Sequence, residues 1–460
     1  MEQHNTQTVA RQLHFKDAHL DELAERANVA QFISFDPSRR QRYARVLGFP
    51  PNHIFSSVPD AVKTLLERSP EKRINIRSFR PEEPQGHEFL YGIKSNDEAT
   101  AQIERLTALN LWVIANETVD VDDGGVSGVA HGDVIEFAPR DTPRVVETEN
   151  VLSADRRLGT GIIELVYGFE PLLPEEDQLR VEFSIHPIRR GYRHQHTIIW
   201  EIQDTIPVKY KPVLRWPNAF SEFIGDKAFG LLVANCIGLC VPRAMVLSRV
   251  LRPFVFGRRT GSDVVWLRTS PKLPEPGFFP TVRGWTDPFA FLEQVPGNER
   301  VASIIAQDEV AATYSGAVLT RADGDPIVEG VPGFGDDLML GRRQPESLPN
   351  KVVELVTDVH SRLAKQVGSI RAEWAFDGLD LWILQLQPEK AVSKGSIIFP
   401  GDVKAEMDFD VRAGLSGLRE LIGLMEGKNV GIRVVGQVGM TSHIADVLRR
   451  NRIPSRIVPR

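Results

Sequence analysis

One ordered set of short fragments runs through this chain twice. In the first half an apolar strand ends on Ile76-Arg77-Ser78, a helical stretch follows, and a second strand reads Trp112-Val113-Ile114-Ala115-Asn116-Glu117. Val126-Ser127-Gly128-Val129, Ile135-Glu136 and a Pro/Arg/Asp loop come next. The copy closes on Arg180-Val181-Glu182-Phe183, a hairpin, and Ile199-Trp200-Glu201-Ile202-Gln203. The second half runs Leu267-Arg268-Thr269, Ser303-Ile304-Ile305-Ala306-Gln307-Asp308-Glu309, Tyr314-Ser315-Gly316-Ala317, and Val328-Glu329 with a Gly-rich loop. It closes on Arg371-Ala372-Glu373-Trp374, a hairpin, and Ile383-Leu384-Gln385-Leu386-Gln387. Separations differ between the copies. Self-similarity on this scale implies two units of one plan, each an antiparallel sheet backed by helices, in an α+β (mixed α/β) chain.

Periodicity fills in the plan. Leu20, Leu23, Ala24 and Ala27 recur at helix spacing in an amphipathic lead. Helices are expected over 61–67, 99–109, 226–237 and 351–367, the last with Val352, Val353, Leu355, Val356, Val359 and Leu363 at helix period. Gly238 fits the end of the third, and Pro242 follows where a helix cannot continue. Strands are expected over 74–79, 111–115, 181–186, 197–202, 244–248, 264–268, 301–306 and 316–321, and 370–376 pairs with 380–386 across Asp377-Gly378. The domains that result are a helical lead over 1–30, a first unit over 31–210, a second over 211–394, and a small C-terminal α/β piece over 395–460.

Several classes are disfavoured. A formal charge of −6 lacks the basic footprint of a nucleic-acid coat. Apolar runs such as 229–237 fall far short of the ~20 residues a membrane span needs. The polar opening holds no signal-peptide core, and two cysteines give no disulfide framework, so a cytoplasmic protein is expected. Cys236 and Cys240, four apart in an apolar stretch, fall on one helix face and read as core. His186, His194 and His196 surround a hairpin, the last two on one strand face, which leaves a metal site there as a minor alternative to a solvated strand edge.

A nucleotide site needs cations for phosphate, oxygen ligands for Mg²⁺ and a strand edge for the base. The second unit can supply each. Lys227 opens a helix after Gly225-Asp226, and Arg268 ends an apolar strand. Gln307 and Glu309 follow a buried strand, and Glu373 and Gln385 lie on paired strands of a tight hairpin.

At these residues the chain resembles the phosphoenolpyruvate synthase and pyruvate phosphate dikinase family. The segment 302–388 is similar to that family's ATP-grasp nucleotide-binding domain. Ser303-Ile304-Ile305-Ala306-Gln307 resembles V-V-V-Q, and Ser315-Gly316-Ala317-Val318-Leu319-Thr320-Arg321 resembles S-G-V-x-F-T-R. Ile327-Val328-Glu329-Gly330 with Gly333-Phe334-Gly335-Asp336 resembles I-E-A…G-L-G-E. Glu373-Trp374-Ala375-Phe376-Asp377-Gly378 and Leu381-Trp382-Ile383-Leu384-Gln385-Leu386-Gln387-Pro388 resemble E-W-A-I-D-G…L-Y-I-L-Q-A-R-P. Upstream, Gly225-Asp226-Lys227-Ala228 resembles G-G-K-G and Leu267-Arg268-Thr269-Ser270 resembles V-R-S-S. The resemblance implies two tandem ATP-grasp-like units, with ATP and Mg²⁺ as ligands of the second. It implies that Lys227 and Arg268 hold phosphates, that Gln307 and Glu309 lie at the adenine, that Glu329 belongs to the nucleotide set, and that Glu373 and Gln385 bind Mg²⁺. There are three departures. Arg371 stands where the family has an acid, Gln387 where it has an arginine, and Asp336 where it has a glutamate. Arg371 is expected to supply the cation lost at Gln387.

The tail completes the resemblance. Gly439-Met440-Thr441-Ser442-His443-Ile444-Ala445, with Ile453-Pro454 downstream, is similar to the family's phosphohistidine motif, which implies His443 as phosphoryl acceptor. Its plainer reading is Ser442 capping a helix beside an uninvolved histidine. In the first unit Arg77, Glu182 and Glu201 occupy the corresponding places. That unit is read as a packing pseudo-repeat or as a second binding cleft. Two functions stay open: a Mg-ATP-dependent phosphotransferase passing phosphate through His443 to an unidentified acceptor, and a non-catalytic nucleotide sensor or scaffold. Nucleotide is the expected partner; membrane and nucleic acid are not.

Overall fold

The computed structural model describes residues 13–142, 149–174, 176, 178–205, 214–275, 278–390, 392, 395–425, 427–436 and 438–458. The chain divides into two compact units, one of Met1–Thr148 with Pro171–Tyr210 and one of Glu149–Glu170 with Lys211–Arg460. No helix among the described residues is long and apolar enough to cross a membrane.

Each unit is mixed α/β, and the strand order of the first recurs in the second. One antiparallel sheet of the first unit runs Gln41–Arg45, Phe32–Phe35, Trp112–Glu117, Ile74–Phe79, Gly86–Ile93. Its counterpart runs Phe254–Phe256, Ala244–Ser248, Val301–Asp308, Val265–Pro271, Thr281–Arg283. In the other sheet Gln195–Asp204, Leu179–Arg190, Val126–His131 and Val134–Pro139 are neighbours in that order. Leu381–Pro388, Ile370–Phe376, Tyr314–Thr320 and Pro326–Pro332 repeat it.

Register makes the correspondence residue by residue. Arg77 pairs with Ile114 as Arg268 pairs with Ile305. Gly128 faces Phe183 as Gly316 faces Trp374. Glu182 is opposite Glu201 and Glu373 is opposite Gln385, and beside each pair the ladder skips one residue, Trp200 in one copy and Leu384 in the other. A β-bulge of this kind re-aims the side chains that follow it. Small residues are obligatory beneath. A Cβ on Gly128 would lie 2.2 Å from the Glu136 carbonyl oxygen, and one on Gly316 would lie 2.0 Å from that of Glu329.

The helices form where spacing and caps require. Asn350–Val367 buries Val352, Val356, Val359 and Leu363 along one stripe, while Val353 is exposed and Leu355 half-buried at its margin. Ser57 and Ser95 cap Val58–Arg68 and Asn96–Ala108 by accepting from Asp60 and Glu98 amides. The lead forms the helix Lys16–Arg26, whose Leu20, Leu23 and Ala24 pack with Phe32, Phe79 and Ile114; residues 1–12 lie outside the described ones. Segment Glu149–Glu170 was expected in the first unit and belongs with the second. Its helix Arg156–Tyr167 buries Leu158, Ile162 and Ile163, and a Cβ on Gly161 would touch Cys236 Sγ at 3.7 Å.

The C-terminal piece is a small α/β layer within the second unit. Ala405–Asp410, Val430–Val435 and Ser455–Val458 run parallel, joined through Gly414–Met425 and His443–Arg450, with Ile397–Phe399 antiparallel at one edge. Its core of Leu418, Ile432, Val434, Ile444 and Leu448 is continuous with Leu319 of strand Tyr314–Thr320.

Two expectations need correcting. The helix from Asp226 ends at Cys236, and Cys240 pairs in a bridge with Trp382, so the cysteines share no helix face. His194 sits in the turn at φ 53°, not on the strand. His186 Nδ1 lies 2.8 Å from Asp123 and its Nε2 2.8 Å from Ser184 Oγ, while His196 Nδ1 bonds the His186 carbonyl. Among the described residues no group of three or more His, Cys, Asp or Glu is placed to hold a metal ion.

Candidate functional site

Three contacts bring the cations together. Ser270 Oγ accepts from the Ala228 amide at 3.0 Å, pinning the start of helix Asp226–Cys236 to the strand that carries Arg268. Gly225 permits this, at φ 95° and with Ser270 Oγ 2.3 Å from where a Cβ would be. Further along, a Cβ on Gly230 would fall 2.0 Å from the Leu386 carbonyl oxygen, so the helix lies directly on strand Leu381–Pro388. The bulge then acts. Leu384, left out of the ladder, accepts from Arg268 Nη1 at 3.2 Å and from Gln307 Nε2 at 3.5 Å.

The result is a cavity of about 350 Å³ lined by Lys227, Arg268, Arg371, Glu373, Gln385 and His443. A smaller one of about 80 Å³ shares Arg268 and Glu373 with it and adds Gln307 and Glu309 beside Trp266 and Trp374. Every residue named in the sequence for the site therefore lines one of the two, except Glu329. That carboxylate turns to the tail and accepts from the Met440 amide at 3.0 Å, the Thr441 amide at 2.9 Å and Thr441 Oγ1 at 2.7 Å. The I-E-A-like motif pointed to nucleotide; the partner is a loop more than 100 residues downstream, which spacing within the motif cannot reveal.

Electrostatics differ from a plain cationic cleft. Burial, reinforced by Arg268, lowers the Lys227 ammonium to about 8. Burial lowers His443 to about 4, helped by Arg371, so its imidazole is neutral at physiological pH. His443 Nδ1 is buried with no hydrogen-bond partner. Burial raises Glu373, but Arg371, Arg268 and Lys227 outweigh it, and the carboxylate stays ionised with its pKa lowered. Arg371 is almost wholly buried. Its Nε and Nη2 donate to the Thr441 carbonyl at 3.3 and 3.0 Å, and its Nη1 lies 3.1 Å from Glu373 Oε1. It therefore lines the cleft with its guanidinium hydrogen-bonded to the Thr441 carbonyl and beside Glu373. The first unit has the same arrangement, with Arg180 Nη1 2.8 Å from Glu182 Oε1.

Glu309 accepts from Arg283 at 2.6 and 2.9 Å and from the Trp266 indole at 2.9 Å. Gln385 Nε2 donates to Gln387 Oε1 at 3.3 Å, while buried Gln387 Nε2 has no partner. Sequence reasoning missed Asp226 and Asp446, which also line the larger cavity. Asp226 is raised to about 6 by burial although the Trp216 indole donates to it at 2.8 Å. Asp446 is i+3 from His443 on its helix, a spacing that could have flagged it.

No family model matches the chain, and no curated protein matches it. Solved structures do. D-alanine–D-alanine ligase from Bacillus anthracis complexed with ATP matches at 11% identity and TM-score 0.26, over 37% of this chain and 55% of that one. A RimK domain protein, ATP-grasp, from Sphaerobacter thermophilus matches at 13% and 0.22, over 36% and 58%. D-cycloserine synthetase DcsG matches at 15% and 0.23, over 43% and 64%. The chain thus spans 55% to 64% of the length of these proteins. Likeness at that level fixes neither activity nor substrate, and the phosphoenolpyruvate synthase resemblance rests on the motifs.

Proposed function

We propose that the second unit binds magnesium-ATP in this pair of cavities and transfers a phosphoryl group to His443, for delivery to a further acceptor. The observation that carries the reading is one cavity lined by Lys227, Arg268, Glu373, Gln385 and His443. Lys227 and Arg268 would meet phosphate charge, and Gln307 with the flanking tryptophans would meet the base. The donor set suits Mg²⁺, which takes few protein oxygens and keeps phosphate and water ligands. Glu373 and Gln385, opposite each other in register, would hold it, and it would neutralise charge on the phosphates.

His443 supplies the nucleophile. A neutral ring nitrogen forms the N–P bond with its lone pair while the bond from phosphorus to the bridging oxygen breaks and the nucleoside diphosphate leaves. The first turn of helix His443–Arg450 favours the anion so formed. A second reading has one observation in its favour. Arg371 Nη1 lies 3.1 Å from Glu373 Oε1, so the carboxylate proposed for the metal already has a cation beside it, which suits nucleotide binding without turnover.

The test is incubation of the protein with Mg²⁺ and ATP labelled on its terminal phosphate. Acid-labile label on the wild type, absent from His443→Ala, is the expected result. Label that persists in His443→Ala overturns the assignment of the acceptor. ATP affinity with no label on the wild type selects the non-catalytic reading, and no affinity refutes both.

A further inference from the structure

The loop that delivers His443 is held from both ends of a single residue. Glu329, on strand Pro326–Pro332, receives three donors from it, the Met440 and Thr441 amides and the Thr441 hydroxyl, at 2.7 to 3.0 Å. Arg371, on strand Ile370–Phe376, donates twice to the Thr441 carbonyl. Thr441 thus has its N–H and hydroxyl on one side chain and its C=O on the other. Gly439 lets the carboxylate come this close, since a Cβ there would lie 2.4 Å from Glu329 Oε2 and would push that side chain aside. Ser442, the residue after Thr441, caps the helix that begins at His443. Arg371 also touches Glu373, so the guanidinium that fixes the loop fixes the acid of the cleft.

We propose that Glu329 is a positioning residue that sets His443 against the cleft by holding the 439–443 loop, and not a ligand of the nucleotide. A carboxylate accepting two amides and a hydroxyl forms charge-assisted bonds, short and directional enough to fix a backbone segment. Those bonds lie outside both cavities, so their loss displaces the acceptor and leaves the nucleotide contacts in place. The part concerning transfer rests on the proposed function; the grip itself does not.

The experiment compares wild type, Glu329→Gln and the milder Thr441→Val. Hydrogen–deuterium exchange is measured on peptides covering 439–446, with ATP affinity and the single-turnover rate of His443 labelling in parallel. In Glu329→Gln, exchange at Met440 and Thr441 is expected to rise at least tenfold and the labelling rate to fall at least tenfold. ATP affinity should stay within twofold. Thr441→Val, which loses only the hydroxyl, should fall between. Weakened ATP affinity with unchanged exchange makes Glu329 a nucleotide ligand and overturns the inference. Faster exchange with an unchanged labelling rate overturns the positioning role. Where the wild type takes no label the proposed function fails, and the grip is still decided, since unchanged exchange in Glu329→Gln refutes it.

Discussion

Replacing Lys227 by methionine should stabilise the protein while damaging its site. The ammonium sits at the first turn of helix Asp226–Cys236 with Arg268 as a like-charged neighbour, and its pKa falls from 10.5 to about 8. That fall corresponds to about 3 kcal/mol of penalty on the charged form in the folded state. The residue keeps partial solvent contact, so about 1–2 kcal/mol is the expected gain on removing the charge. Methionine retains most of the stem's packing. The sign in pH follows by linkage. Between about 8 and 10.5 the unfolded chain holds a proton that the folded one has released, so wild-type stability rises across that window, and below it the full penalty is present. Lys227→Met should lack this component and exceed the wild type most at pH 7. Urea midpoints of the two proteins from pH 7 to 10.5, with ATP titrations at pH 7, read both effects. ATP affinity should drop at least tenfold. A variant less stable than the wild type at pH 7, or one that binds ATP equally well, would refute the account of Lys227 as a strained phosphate ligand.

Other outcomes follow from the same geometry. His443 should titrate near 4 by NMR of its imidazole, so the wild type loses up to about 3 kcal/mol of stability as pH falls from 6.5 to 4, a loss missing from His443→Ala; a midpoint at or above 6.5 contradicts the buried, neutral ring. Gly128→Ala and Gly316→Ala should each destabilise its own unit by about 1–3 kcal/mol, since either Cβ would enter a facing carbonyl. Equal urea midpoints for the wild type and both variants would refute the steric need for glycine at these positions, and a loss in one variant alone would remove their equivalence.

Much of the architecture was legible because a repeat writes itself in local patterns. Strand Ile74–Phe79 begins and ends where periodicity put it, as does Ala244–Ser248, and Asp377-Gly378 turns the hairpin that aligns Glu373 with Gln385. The mapping of Arg77 on Arg268 and of Glu182 on Glu373, read from fragment order, agrees with the strand register. Long-range partnership was illegible. Glu329 and Arg371 read as nucleotide residues only through the motifs they sit in, yet both bind Thr441, a contact that exists only once the tail has folded onto the sheet. Fragment order alone assigns Glu149–Glu170 to the first unit, and its helix Arg156–Tyr167 is not among the helices expected from spacing, so no local pattern marked the face it buries with the second. His194 fell into a turn because its φ of 53° suits a hairpin tip, which alternation alone cannot detect.

The extra residue in each hairpin, Trp200 and Leu384, puts the same irregularity beside the same glutamate in both units. In the second unit it also frees the Leu384 carbonyl to accept from Arg268 and Gln307. The residue opposite the glutamate differs, Glu201 in one unit and Gln385 in the other. One frame therefore presents two carboxylates in the first unit, and one carboxylate beside a neutral amide in the second.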